Sequence, residues 1–420
     1  MAEYFDIISL VFLIVTITVG FLKKMNIGLL AIGMSIVLAQ LAGFSSSQVY
    51  AGFDAKLFTQ LVGVTYLFGI AQVNGTIELL VKKTLALVGN KSFLVPIILF
   101  LTSGFFTAIG PGNISMGALM TVVAITIAVY MGKNPIFYAL VTKAATNGFG
   151  LSPITPAGII STNLGEAAGF SGFEMGVFLN VILWGVVCFI TFALIFRKSD
   201  KATTAKVLKM EDLEAFTRPQ IITIIGMVVM VSMVLFLGID VGLASFFVAA
   251  ILSFMGICKE KSALAKVPWG TLMLICGVGL LMNLVNQLGG VALLTEALLS
   301  IMTENTATPI IAGVSSLLSS VSSTSGVVLP TMYPTLTGIV QEFPSLSFTE
   351  LASCVATGSF SSAFSPASTG GGLILAAYAT ATNSSENELN KIFGKLCVIA
   401  VGISILNVVL AWLGLYSIIG

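Results

Sequence analysis

Histidine is absent from this sequence of 420 residues, and only 9% of the residues are charged. Without histidine the chain lacks the usual zinc ligand and the usual proton-transfer group near neutral pH. The five cysteines form no CxxC pair, which argues against a metal site and against a disulfide framework. The serine clusters have only Lys143 as a conceivable base for nucleophilic chemistry. We therefore expect no enzymatic activity, no resident metal and no cofactor.

Apolar residues make up 57% of the chain. They recur in runs of about 16 to 25 residues, the length that a hydrocarbon core of roughly 30 Å requires of a spanning helix. The sequence predicts an all-α integral membrane protein with ten transmembrane spans. The predicted spans are 7–22, 26–43, 58–73, 135–165, 173–196, 221–237, 241–257, 271–287, 351–381 and 392–419.

Two further apolar stretches, 93–131 and 309–340, are interrupted near their middles by small and polar residues. Such an interruption favours a re-entrant hairpin, because polar backbone at membrane depth must be buried in protein or line a watery cavity. Two fully spanning arms would leave the same charge pattern, so that alternative stays open.

Lysine and arginine are few and lie at the ends of the apolar runs. The formal net charge is +1 and no basic cluster is paired with aromatic residues, so we expect no nucleic-acid partner. Short loops rich in lysine and arginine stay cytoplasmic. With the N-terminus outside, every base falls inside except Lys56, outside, and Lys143, within a span. This predicts a multi-pass protein of the plasma (inner) membrane with both termini outside.

The chain divides into two similar halves, 1–196 and 220–420, joined by a charged cytoplasmic linker at 197–219. Short motifs recur at an offset of 213, because 107–113 matches 320–326 and 151–155 matches 364–368. An odd number of spans in each half turns the second copy over in the membrane. The sequence therefore predicts two inverted repeats, each of five transmembrane helices plus one re-entrant hairpin, as in secondary transporters.

Glycine, proline and hydroxyl residues interrupt the helices at four places, which are the two hairpin tips and breaks in the helices 135–165 and 351–381. Opened helices expose carbonyl groups that bind cations and helix N-termini that bind carboxylates. The alternative is that these residues only permit close helix packing or a kink. The candidate substrate- and cation-binding residues are Gly110, Pro111, Gly112, Asn113, Lys143, Thr146, Asn147, Ser152, Pro153, Thr155, Ser322, Ser323, Thr324, Ser325, Gly326, Ser361, Ser362, Ser365, Pro366, Ser368 and Thr369.

Lys143 is the one base predicted inside a span, and an intramembrane lysine is a functional candidate because its burial is costly. It is expected to bind a substrate carboxylate or to replace a bound sodium ion, and the alternative is snorkelling to the cytoplasmic surface. The acidic residues fall near span ends or in loops. This distribution gives no sign of a carboxylate relay for proton exchange.

Residues 51–53, 61–77, 110–111 and 150–153 resemble the MatC-type dicarboxylate carriers, within the ion transporter superfamily that includes the divalent anion/sodium symporters. The resemblance implies uptake of small dicarboxylates such as malonate or succinate. It also implies a homodimer of scaffold and transport domains with elevator-like movement. The symporters carry a Ser-Asn-Thr signature at both tips, from which this chain departs at 110–113 and 323–325. We favour cation-coupled symport with Na⁺ or H⁺, and a passive anion channel or an exchanger without cation coupling are the alternatives.

Overall fold

The computed structural model describes residues 4–86, 92–197, 211, 213–320, 322–366, 368–382 and 384–419. Most of the predicted linker 197–219, namely 198–210 and 212, lies outside the described residues. Regular structure in the described residues is helical throughout. The helices before the linker are α1 (Phe5–Leu22), α2 (Ile27–Ala42), α3 (Ser46–Tyr50), α4 (Ala55–Val73), α5 (Thr76–Ala86), α6 (Val95–Ala108), α7 (Gly112–Tyr130), α8 (Pro135–Gly148), α9 (Pro156–Ala167) and α10 (Glu174–Phe196).

Like the helices before the linker, those after it include a short third helix, α13, and a break after the eighth, α18. A π-helical turn, Thr324–Val328, stands between α16 and α17. The helices are α11 (Arg218–Leu237), α12 (Val241–Phe254), α13 (Glu260–Leu264), α14 (Trp269–Gln287), α15 (Gly290–Leu299), α16 (Ala307–Ser320), α17 (Leu329–Glu342), α18 (Phe348–Ser362), α19 (Thr369–Thr382) and α20 (Glu386–Trp412).

Five of the described helices, α1, α7, α10, α14 and α20, are long and apolar enough to cross a membrane. Two bent pairs pass the same test when each pair counts as one span. These pairs are α4 with α5, bent by 70°, and α16 with the segment 324–342, bent by 117°. The chain is therefore a multi-pass membrane protein, while the ten-span topology and the re-entrant hairpins stay predictions.

Helices α1–α5 and α11–α15 form one packed group, which we call the frame. Within the frame, α2 packs on α14 and α4 packs on α12. Glycines meet at both helix crossings. A Cβ on Gly277 would lie 2.1 Å from the carbonyl oxygen of Gly28, and a Cβ on Gly63 would lie 2.4 Å from the carbonyl oxygen of Gly242. The absence of side chains lets the backbones meet at these four positions.

Helices α6–α10 and α16–α20 form the second group, which we call the module. Helix α8 packs on α6, α7 and α10, and α18 packs on α16, α17 and α20. The halves are joined inside the module where α10 contacts α18 and α7 contacts α19. The Asn180 side-chain amide strengthens this junction by donating to Ser353 Oγ at 3.0 Å and to the Tyr416 carbonyl at 2.9 Å.

Candidate substrate-binding site

The two broken helices of the module open in the same way. Helix α8 ends at Gly148 and α9 begins at Pro156, while α18 ends at Ser362 and α19 begins at Thr369. A hydroxyl residue closes each gap by capping the second helix. Thr155 Oγ1 accepts from the Gly158 amide at 3.2 Å, and Ser368 Oγ accepts from the Gly371 amide at 3.3 Å. Both breaks therefore present a capped helix N-terminus, a favourable place for an anion.

The tip between α6 and α7 rests on the frame through a glycine. Gly110 has φ +147°, and a Cβ there would lie 2.1 Å from Phe68 Cε2 on α4. Gly112 has φ +73°, and its Cβ would lie 2.8 Å from Pro156 Cδ at the start of α9. These left-handed conformations favour glycine, and the close approaches leave no room for a side chain.

The tip between α16 and α17 rests on a different helix of the frame. A Cβ on Gly326 would lie 2.4 Å from Leu274 Cγ on α14. Ser323 caps the π-helical turn by accepting from the Gly326 amide at 3.4 Å. Each tip is thus seated on the frame by a glycine, with its polar residues beside the seat.

A cavity of about 880 Å³ lies between the frame helix α14 and the module. Both tips, the helix α8 and the second break contribute to its wall. The lining is mostly polar at the tips and small or apolar on α14 and α19. The lining residues are Asn113, Ile114, Lys143, Asn147, Gly270, Thr271, Leu274, Ser319, Ser322, Ser323, Thr324, Ser325, Phe360, Ala363, Ser368, Gly370 and Leu373.

A smaller cavity of about 390 Å³ adjoins the first. It lies between the α4 and α14 frame helices, the first tip and the start of α9. Pro111 and Gly112 line it, and Asn113 and Ser325 line both cavities. Each tip therefore contributes a residue to both cavities.

Lys143 carries the one charge among the described residues that line the larger cavity. Its side chain is 6% exposed, and no hydrogen-bond or ion-pair partner of Nζ occurs among the described residues. A Cβ on Gly370 would lie 2.9 Å from Nζ, so the ammonium sits beside the first turn of α19. An unpaired ammonium at a helix N-terminus makes this end of the cavity strongly favourable to a carboxylate.

Asn147 connects three parts of the site. Its Oδ1 accepts from Asn113 Nδ2 at 3.4 Å, which joins α8 to the first tip. Its own Nδ2 donates to the Phe360 carbonyl at 3.4 Å, which joins α8 to α18. Because Asn147 is fully buried, both contacts hold the polar wall of the cavity in register.

Residues 4–149 match the family described as "Dicarboxylate carrier protein MatC N-terminus". The resemblance to MatC-type carriers is thereby confirmed for α1 to α8, which include Asn113, Lys143 and Asn147. The MatC region thus supplies the first tip, the charged end of the cavity and the residue that connects them.

Two solved transporters are similar to the chain in structure. The YdaH transporter of Alcanivorax borkumensis has a TM-score of 0.59 at 12% identity, covering 90% of this chain and 88% of that chain. Neisseria gonorrhoeae MtrF, described among antimetabolite efflux pumps, has a TM-score of 0.60 at 12% identity, covering 90% and 83%. At this identity the likeness shows the fold alone. Among curated protein sequences, none matches the chain.

The structure divides the residues predicted from sequence into three groups. Eight line the larger cavity, namely Asn113, Lys143, Asn147, Ser322, Ser323, Thr324, Ser325 and Ser368. Pro111 and Gly112 line the smaller cavity beside it. The side chain of Thr369 lies outside the described residues. The remaining ten line neither cavity, and they are Gly110, Thr146, Ser152, Pro153, Thr155, Gly326, Ser361, Ser362, Ser365 and Pro366.

Several residues of the third group have other partners. Ser361 Oγ accepts from Trp184 Nε1 at 3.2 Å inside the module. Thr146 Oγ1 donates to the Lys143 carbonyl at 3.3 Å. Ser362 and Ser365 line a separate groove between α16 and α20. These side chains support or flank the site and do not face it.

Sequence reasoning missed the other lining residues of the larger cavity, namely Ile114, Gly270, Thr271, Leu274, Ser319, Phe360, Ala363, Gly370 and Leu373. Thr271 and Leu274 belong to the ordinary apolar span α14, which carries no break to mark it. Gly370 lies in the glycine run 370–372, whose position beside a lysine more than 200 residues away becomes visible only in the folded chain. As for metals, no group of three or more His, Cys, Asp or Glu suited to an ion occurs in the part of the chain that the structure describes.

Proposed function

We propose that this protein is a secondary transporter of small dicarboxylates, of the size of malonate or succinate, in the plasma membrane. The observation that carries the proposal is the buried ammonium of Lys143, which has no partner among the described residues, in a polar cavity between two packed groups of helices. The match of residues 4–149 to a dicarboxylate carrier family supports the choice of substrate class.

In this proposal the two ends of the cavity hold the two carboxylates. One carboxylate pairs with Lys143 Nζ and with amides at the start of α19 other than that of Gly371, which donates to Ser368 Oγ. The other accepts hydrogen bonds from Asn113 and from the hydroxyls of Ser323 to Ser325, which line the same cavity. The cavity, whose volume of about 880 Å³ includes space open to solvent, leaves room for such a substrate with water.

Transport then requires the site to be exposed to each side in turn. We propose that the frame is a scaffold domain, that the module is a transport domain, and that the halves are inverted repeats. The module moves as a unit in an elevator-like step, since its halves are tied by buried contacts such as Trp184 with Ser361. A homodimer joined through the frame would hold the scaffold still.

A passive organic-anion channel is the competing function, because the same polar lining would serve it. The unpaired ammonium favours a carrier, since a carboxylate that binds it tightly leaves slowly unless the protein changes conformation. For the carrier, coupling to Na⁺ or H⁺ stays a prediction, and exchange without cation coupling is the alternative.

Purified protein in liposomes tests the proposal. Labelled malonate and succinate should enter saturably, and excess unlabelled dicarboxylate should compete, whereas acetate should not. Imposed Na⁺, pH and counter-substrate gradients should be compared in the same vesicles. Flux that rises linearly with concentration and never accumulates would indicate a channel, and the absence of uptake for every dicarboxylate tried would refute the function.

A further inference from the structure

The space around the Lys143 ammonium is made by two glycines. A Cβ on Gly370 would lie 2.4 Å from Lys143 Cε and 2.9 Å from Nζ, so a side chain there would displace the lysine. On the other side, a Cβ on Gly117 would lie 3.6 Å from Nζ. Lys143 therefore ends in a fitted space inside the protein and not at the cytoplasmic surface.

The electrostatic surroundings of the ammonium are one-sided. No aspartate or glutamate occurs among the described residues that line the cavity. The N-terminal end of α19 lies beside the ammonium at Gly370, and the helix dipole makes this end positive as well. The empty site thus holds an uncompensated positive charge, which a bound carboxylate neutralises.

We infer that Lys143 is a tethered cation that takes the place of a co-transported ion and makes the carrier exchange one dicarboxylate for another. This inference rests on the proposed transport function. When substrate is bound, the ammonium is paired with a carboxylate while the module passes through the closed conformation between the two sides of the membrane. When no substrate is bound, the module passes through the same conformation with the ammonium unpaired beside a helix N-terminus.

The two crossings differ strongly in rate. A buried charge that lacks its partner disfavours a state by an amount that corresponds to roughly 100-fold or more. The loaded carrier therefore changes sides quickly and the empty carrier slowly. Exchange is fast, net uptake is slow, and sodium is not required.

Proteoliposomes clamped at zero membrane potential test the inference. Labelled succinate is added outside to vesicles that contain either unlabelled succinate or none, in sodium-free medium at equal pH. The initial rate should be at least roughly 100-fold higher in the succinate-loaded vesicles. Addition of sodium on the outside should leave both rates unchanged.

Substitutions identify the residue responsible. Lys143→Arg keeps the charge and should keep the preference for loaded vesicles. Lys143→Met should bring the two rates within about threefold of each other, with weaker binding of succinate. Lys391→Met, which removes an exposed lysine on α20, is the matched control and should behave as the unmodified protein. If Lys143→Met does not transport, the ratio of rates in loaded and empty vesicles for the unmodified protein and for Lys143→Arg tests the inference.

Equal net and exchange rates in the unmodified protein would overturn the inference and leave transport intact. So would net uptake that an inward sodium gradient or an outside-acid pH gradient raises to the exchange rate. The absence of uptake in both kinds of vesicle, for every dicarboxylate, would instead count against the transport function itself.

Discussion

Thr155 and Ser368, which are 213 residues apart, make the same three hydrogen bonds. Each hydroxyl lies within 2.8 Å of the carbonyl oxygens five and three residues earlier, Gly150 and Ser152 for Thr155, Ala363 and Ser365 for Ser368. Each also accepts from the amide three residues later. The breaks in the two halves are therefore one structural motif, and the shared hydroxyl is its centre.

Removal of either hydroxyl should loosen the break. Thr155→Val and Ser368→Ala lose an N-cap, at a cost of about 1 kcal/mol in unfolding free energy each. For Ser368→Ala the affinity for dicarboxylate should fall as well as the unfolding free energy, because α19 begins at the cavity. Thr155→Ser and Ser368→Thr keep the hydroxyl and serve as controls. Thermal unfolding measures the stability and substrate titration measures the affinity. If Thr155→Val and Ser368→Ala were as stable as their controls, the hydroxyl would not be the centre of the motif.

The seat of the second tip can be broken and repaired. Gly326→Ala places a Cβ 2.4 Å from Leu274 Cγ, so the tip must shift and uptake should fall by at least about tenfold. Gly326 has no left-handed φ, and the clash is with a side chain. The double variant Gly326→Ala with Leu274→Ala should therefore recover much of the uptake, and the single variant Leu274→Ala is its control.

The first tip should resist the same repair. Gly110→Ala meets Phe68 at 2.1 Å and also forces an alanine into φ +147°. A smaller partner relieves the clash but not the backbone strain. Uptake should thus stay low in Gly110→Ala with Phe68→Leu. Full recovery in that double variant would show that the backbone conformation of the tip is unimportant.

A carboxylate placed next to Lys143 should compete with the substrate. Asn147 follows Lys143 by one helical turn, and both line the cavity. Asn147→Asp offers an intramolecular partner to the ammonium, so KM for dicarboxylate should rise at least about tenfold. Asn147→Ser removes the amide without adding charge and is expected to raise KM less. Equal KM values for the two variants would mean that the ammonium does not face position 147.

Two serines predicted for the site should separate by their effects. Ser361→Ala leaves the buried Trp184 indole without its acceptor, which should lower the unfolding free energy by about 1 to 3 kcal/mol with KM unchanged. Ser323→Ala should raise KM, because Ser323 lines the cavity. Thermal shift and uptake kinetics on both proteins distinguish a supporting residue from a binding residue.

Helices end near the four interruptions in the sequence, because glycine and proline act locally on the backbone. Sequence reasoning placed Thr146 and Asn147 inside the first break, whereas both belong to α8, which continues to Gly148. Adjacent helical residues point about 100° apart, so Asn147 lines the cavity and Thr146 does not.

Long-range neighbours were beyond the reach of the sequence. The serine run of the second break predicted Ser361 and Ser362 as binding residues, but the helix α18 turns them toward Trp184 and toward the groove beside α20. Gly370 beside Lys143 joins two segments that only tertiary packing brings together. Local chemistry thus marked where the helices open, and packing decided which side chains face the opening.

A cryo-electron microscopy map of the purified protein with saturating succinate tests where the substrate binds. Ligand density is expected in the cavity between α14 and the module, with one end at the Lys143 ammonium and the other at Asn113 and Ser323 to Ser325. Ligand density at another place in the protein, or uninterrupted helices through 149–155 and 363–368, would contradict this expectation.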